Sequence, residues 1–264
     1  MPSTLFSISL HAAALALLLS PLPALADEVR AIARYSVNLG GTKIATANVS
    51  LDDTGATYSM ALDAKITGMA QLVANGTARL ESTGDSTSSG LRSEKFDITT
   101  RASGEDFTVA ITYVQGGVAS FIVNPPIVNN IDRVAIERKQ LTAANDMAAS
   151  FVLKGGQLDR SLCERKLQIF TGVERFNLSM RYAKDDVATS RRTGYQGPLV
   201  LCSVKYTPIS GHYTTAEVTT YLAASERILI WYAPLQAPGY FIPYRAIIST
   251  EAGDLSVVLT ELEQ

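Results

Sequence analysis

Histidine, cysteine and clustered positive charge are all scarce in this chain, and each scarcity excludes a kind of chemistry. Two histidines occur in 264 residues, His11 and His212. His11 lies in an apolar N-terminal run read below as a leader, which leaves His212 alone in the folded part. A zinc site built on two or three imidazoles is therefore impossible. There is no H-E-x-x-H, no G-x-S-x-G, no Walker loop and no G-x-G-x-x-G. The two cysteines form no C-x-x-C. No residue pattern specifies a cofactor or a metal. The net charge is −2, and no basic cluster exceeds a pair such as Arg191-Arg192. A nucleic-acid partner, which needs a basic face, is not indicated.

What is present begins with the leader. Leu10 to Leu19 is apolar except for His11, and Ser20, Pro21 and Pro23 precede Ala24-Leu25-Ala26. A short apolar run ending in an A-x-A pattern reads as a signal peptide over residues 1–26, too short to span a membrane comfortably. The expectation is a single β-rich domain over 27–264, exported to the periplasm and without a transmembrane segment. Export also decides the cysteines. In an oxidising compartment an even count pairs, so Cys163 and Cys202 are expected to be joined. A bridge across a loop of that length stabilises by roughly 4 kcal/mol in the chain-entropy model.

Period-two alternation dominates the rest. Strands are predicted at Ile32–Leu39, Ile44–Leu51, Thr57–Ile66, Val73–Leu80, Leu91–Arg101, Phe107–Gln115 and Val118–Val123. Gly40-Gly41 and Gly116-Gly117 read as tight turns, and Ser82–Gly90 as a turn or mobile loop. Asn124-Pro125-Pro126 stops a strand, and Ile127–Gln140 reads as a loop crossing the fold. Asn145–Leu153 is the one helical segment, with Asp146 near its start and Gly155-Gly156 after its end.

In the C-terminal half, Cys163, Arg165, Leu167 and Ile169 share one strand face. Phe176, Leu178, Met180 and Tyr182 share the next, and Cys202, Val204 and Tyr206 a third. Further strands are expected at Ala216–Ala223, Arg227–Tyr232, Pro243–Thr250 and Leu255–Leu262. So many short strands, without βαβ alternation, predict an all-β fold. It would be one large, strongly curved antiparallel sheet, β-spiral or half-barrel-like, with one short helix plugging its end. The strands lack the repeated aromatic girdles of a transmembrane barrel.

Two apolar groups are candidate ligand contacts. One is Trp231 and Tyr232 with Tyr240 and Phe241, set among prolines. The other is Met69 and Leu72 in a small lip. Either could line a cleft, and the first could equally cap one end of the sheet. Carboxylate pairs stand at Asp52-Asp53 and Asp185-Asp186, both read as solvated turns. With His212 they are what a hydrolase would have to use, the alternative to a binding protein.

Several stretches, taken in order, resemble one family. They are Tyr35–Gly41, the helix start Asn145–Ala149, Ile169-Phe170-Thr171-Gly172 and Phe176-Asn177-Leu178, then Tyr195-Gln196-Gly197-Pro198 before Cys202, and Tyr206–Gly211. This is similar to the proteobacterial secreted family called domain of unknown function 3108, over nearly the whole chain after the leader. Where the family pattern has Asp-Pro-Leu, this chain has Asp146-Met147-Ala148. The resemblance implies location and fold rather than an activity. It also implies a distant likeness to periplasmic half-barrel proteins such as lipoprotein carriers and envelope-integrity factors. The expected function is a non-enzymatic cell-envelope factor whose curved sheet binds a lipid, a lipoprotein segment or another envelope protein.

Overall fold

The computed structural model describes residues 28–72 and 75–264. The proposed leader lies outside them. A 14-stranded antiparallel sheet runs in the order β7-β6-β5-β4-β3-β2-β1-β14-β13-β12-β11-β10-β9. β1 (Val29–Leu39) and β14 (Gly253–Glu263) pair in its middle. The N-terminal meander therefore spreads to one side: β2 (Thr42–Asp53), β3 (Thr57–Ile66), β4 (Gly76–Thr87), β5 (Gly90–Ala102), β6 (Glu105–Val114) and β7 (Gly117–Asn124). The C-terminal meander spreads to the other: β9 (Lys166–Phe170), β10 (Arg175–Ala188), β11 (Gly197–Ser210), β12 (Ile228–Pro234) and β13 (Tyr240–Thr250). β8 (Leu153–Lys154) is off this path and pairs with β13. The sheet does not close, because β7 and β9 remain its two edges.

The chain between the two meanders folds into the hollow of the sheet. It holds a 3-10 turn at Arg138–Leu141, the helix α1 (Met147–Phe151), β8 and a 3-10 turn at Arg160–Cys163. Three apolar clusters surround this plug. One lies under β1–β3 and β13–β14, one under β9–β13, and one under β4–β7. α1 stands where they meet. Ala149 belongs to the first, Phe151 packs on the second, and Met147 packs on both the second and the third.

Most strands lie where alternation put them, and Gly40 and Gly41 turn the first hairpin with φ of 54° and 84°. Four expectations need correction. Ser82–Thr87 is strand, not loop, with Ser82, Gly84 and Ser86 facing inward in place of apolar residues. Cys163 ends a 3-10 turn rather than joining the strand of Leu167 and Ile169. The two carboxylate pairs lie within strands rather than turns, Asp52 and Asp53 at the end of β2 and Asp185 and Asp186 in β10. Finally, the strand expected at Ala216–Ala223 is the helix α2 (Glu217–Ala224), so a second short α-helix joins α1 among the described residues. Val218, Thr219 and Thr220 suggest a strand by composition. Yet Thr219 is buried while Leu222 and Ala223 pack on the second cluster, a helical spacing that the β-branched run masks.

The disulfide joins the end of the plug to the sheet. Cys163 and Cys202 are bonded, with Cα atoms 5.3 Å apart and 39 positions between them in sequence. Both are fully buried in the second cluster, so the bond anchors the plug where apolar packing already holds it. Replacing both cysteines with serine is expected to leave a folded protein that has lost about 2–5 kcal/mol of stability. Chemical denaturation of the double variant beside the oxidised parent checks this. Equal midpoints would show that the bridge adds nothing beyond the packing.

Candidate functional site

Beside the apolar packing, buried polar residues connect the plug to the sheet. Asp146 is fully buried and caps α1, accepting from the amides of Ala148 at 2.6 Å and Ala149 at 2.8 Å. This satisfies helix N–H groups that have no partner within the helix. Its other oxygen accepts from Ser82 Oγ at 2.6 Å and from Ser93 Oγ, on β4 and β5. The Tyr58 hydroxyl joins the same network, 2.9 Å from Ser82 Oγ. Met147 occupies the first helical position, where a proline would also fit, since the N–H there has no helical partner.

Asn145 bridges the two meanders. Its backbone bonds to β9, donating to the Gln168 carbonyl at 2.8 Å and accepting from the Phe170 amide at 3.0 Å. Its side chain bonds to β5, donating to the Leu91 carbonyl and accepting from the Ser93 amide, each at 2.9 Å. A second buried latch forms around Asp53. It accepts from Ser86 Oγ at 2.6 Å and from the Tyr240 hydroxyl at 2.9 Å, with Lys154 Nζ at 3.6 Å. Lys154 in turn donates to Ser86 Oγ at 2.6 Å and to the Tyr240 hydroxyl at 2.8 Å. The expectation of a solvated turn at Asp53 is thus overturned. Its partners come from β4, β8 and β13, strands distant in sequence, so local composition could not reveal them.

The open site is the seam between the sheet's edges. Phe121 on β7 meets Phe170 on β9 edge to face, with ring centroids 5.0 Å apart. Below them Gly172, with φ of 83°, approaches β6 so closely that a Cβ would lie 2.1 Å from Val109 Cγ1. Residues 125–137 form a strap over the seam. Arg133 ties it down, donating from Nε to the Gly211 carbonyl at 2.7 Å and from Nη2 to the Val173 carbonyl at 2.6 Å. Val134 exchanges backbone bonds with Gly211 and His212. Between strap and sheet lies a groove of about 550 Å³ whose walls include Phe121, Val123, Ile127, Val134 and Ile136. Ile122, Val128 and Ile131 are 69%, 85% and 77% exposed but are not among its walls, and Ile122 alternates with Phe121 and Val123 and so faces the other side of the sheet. The alternation of β7 could have pointed to Phe121 and Val123, whereas Ile127, Val134 and Ile136 lie in a segment without period.

The sequence-derived candidates sit elsewhere. Tyr232, Tyr240 and Phe241 come together on adjacent strands as buried core. Trp231 is half-buried and donates from Nε1 to Asp186 Oδ2 at 2.9 Å, with Arg245 over its ring. That hydrogen bond, with one from the Val187 amide, holds the Asp186 carboxyl below its ordinary range. None of these four residues lines the groove. The side chains of Met69 and Leu72 lie outside the described residues. His212 Nδ1 is buried without a hydrogen-bond partner. Among the described residues no serine hydroxyl or carboxylate is hydrogen-bonded to it, as a hydrolytic base would require.

Fold and seam together define an open antiparallel sheet curled around its own plug, with an apolar groove where its edges meet. The chain belongs to the family described as protein of unknown function (DUF3108), whose model matches residues 34–260. It is similar to a solved structure described as a beta-barrel-like protein of domain of unknown function DUF1849 from Brucella abortus. The two are 10% identical, with 89% of this chain and 97% of that one covered at a TM-score of 0.48. No curated protein matches the chain.

Burial raises the Asp146 carboxyl above its ordinary range, against the opposing effect of the Ser82 and Ser93 hydroxyls and the two helix amides. The folded state then binds this proton more tightly than the unfolded chain. Its contribution to stability falls as pH rises from the unfolded carboxylate range, ~3.9, through the raised folded value. Asp146→Asn keeps a capping oxygen and removes the buried charge, so near neutral pH it should be at least as stable as the parent. Asp146→Ala loses the cap and strands the hydroxyls, at about 1–3 kcal/mol. Denaturant titrations of all three across the acid-to-neutral range check this. An Asn variant as unstable as the Ala variant near neutral pH would refute it.

Proposed function

We propose that this protein is an exported, non-enzymatic envelope factor that binds an apolar chain along the seam groove. The observation that carries the reading is the open groove of about 550 Å³ with Phe121, Val123, Ile127, Val134 and Ile136 among its walls. A concave site with apolar walls is where proteins take apolar ligands. β7 adds an unpaired sheet edge beside it, which can hydrogen-bond an extended segment. The hollow of the sheet is occupied by the plug, so the seam rather than the inside of the curve is the place for a ligand. The bound chain is a partner's extended segment, such as part of a lipoprotein, or an acyl chain. Export rests on the leader-like residues 1–26.

Two measurements test this reading. A photo-crosslinking residue at Val123 or Ile127 should capture a discrete adduct in cells, whereas one at Val187, exposed on β10, should not. Failure at both groove positions, with no lipid co-purifying in native mass spectrometry, would overturn the binding role. The intact mass of the cell-derived protein should correspond to a chain beginning at Asp27, and retention of residues 1–26 would overturn cleavage of the leader.

A further inference from the structure

We propose that a separate cavity, between the β4–β5 turn and β9, binds a small anion, a carboxylate or a phosphate, through Arg165. The cavity measures about 230 Å³. Its charged lining residues are Arg165 and Lys166, and no carboxylate side chain is among the described residues that line it. Its walls mix polar groups from Ser89, Ser150 and Gln168 with the apolar side chains of Leu91, Val152 and Leu167.

Arg30, Arg34, Arg79, Arg92, Arg101, Arg160 and Arg227 each pair with an acidic side chain, whereas Arg165 does not. Arg165 meets neutral carbonyls only, with Nη2 2.5 Å from the Lys154 oxygen and Nη1 3.5 Å from that of Ser89. Arg175 also lacks a carboxylate, but its donors are taken up by the Gln140 and Phe176 carbonyls, Asn177 Oδ1 and Gln168 Oε1. Arg165 keeps donors free and faces a cavity, and its partial burial lowers the guanidinium's pKa, the mark of a charge short of solvation. A planar guanidinium with free N–H groups suits two oxygens of one carboxylate or phosphate. The volume admits such a group with a short apolar tail and little more.

The test uses the full mature chain, isotope-labelled and titrated with sodium phosphate, sodium butyrate and sodium chloride at constant ionic strength. The Arg165 side-chain N–H and Ser89 amide resonances should shift and saturate with phosphate or with butyrate, and the anion that saturates identifies the ligand class. Lys166→Gln, at an exposed position, should weaken binding severalfold without disturbing the fold. Arg165→Gln should abolish saturation. If that variant does not fold, Arg165→Lys keeps the charge without the planar fork and should bind on the order of tenfold more weakly. Shifts no different from those in chloride would overturn the proposal. So would saturation that persists unchanged in a folded Arg165 variant.

Discussion

The fold depends on how a curled sheet is held to something inside it, and here the decisive contact is a buried carboxylate. Asp146 caps the five-residue helix α1 and accepts hydroxyls from β4 and β5. A helix that short is not stable on its own. It forms because its first amides are capped and its side chains reach all three apolar clusters. Asn145, one residue earlier, bonds to β9 through its backbone and to β5 through its side chain. Two adjacent residues thus bring the far parts of a long sheet toward each other without strand pairing between its edges.

The Asp53–Lys154 latch repeats the arrangement near the other end of the plug. A buried ion pair adds little net stability over an apolar contact, but removing one partner leaves a costly buried charge. Four side chains from four strands converge there, and a shifted register would leave at least one without its partner. The apolar clusters supply burial, and the polar latches decide where the plug seats. The plug takes up the hollow, and the groove lies instead at the seam between the sheet's edges. The family-like stretches Ile169–Gly172 and Tyr206–Gly211 meet there, supplying Phe170, Gly172 and the Gly211 carbonyl that receives Arg133.

What the sequence by itself determined is local. Alternation placed most strands, paired glycines placed the turns, and Asp146 marked the start of the first helix. The even cysteine count anticipated the bridge, and the order of motifs pointed to the family. Those features are set by backbone geometry and near neighbours, which a linear pattern records. Tertiary structure alone decided the rest. Ser82 and Ser86 look like loop residues until Asp146 and Asp53 face them, and Asp53 looks solvated until Tyr240, 187 positions away, donates to it. α2 looks like a strand until Leu222 and Ala223 find the second cluster. The groove exists only because β7 and β9, the two edges of one sheet, curl within reach of each other. Whether a polar residue is buried, or an apolar one left in solvent, depends on partners distant in the chain, and no local pattern carries that information.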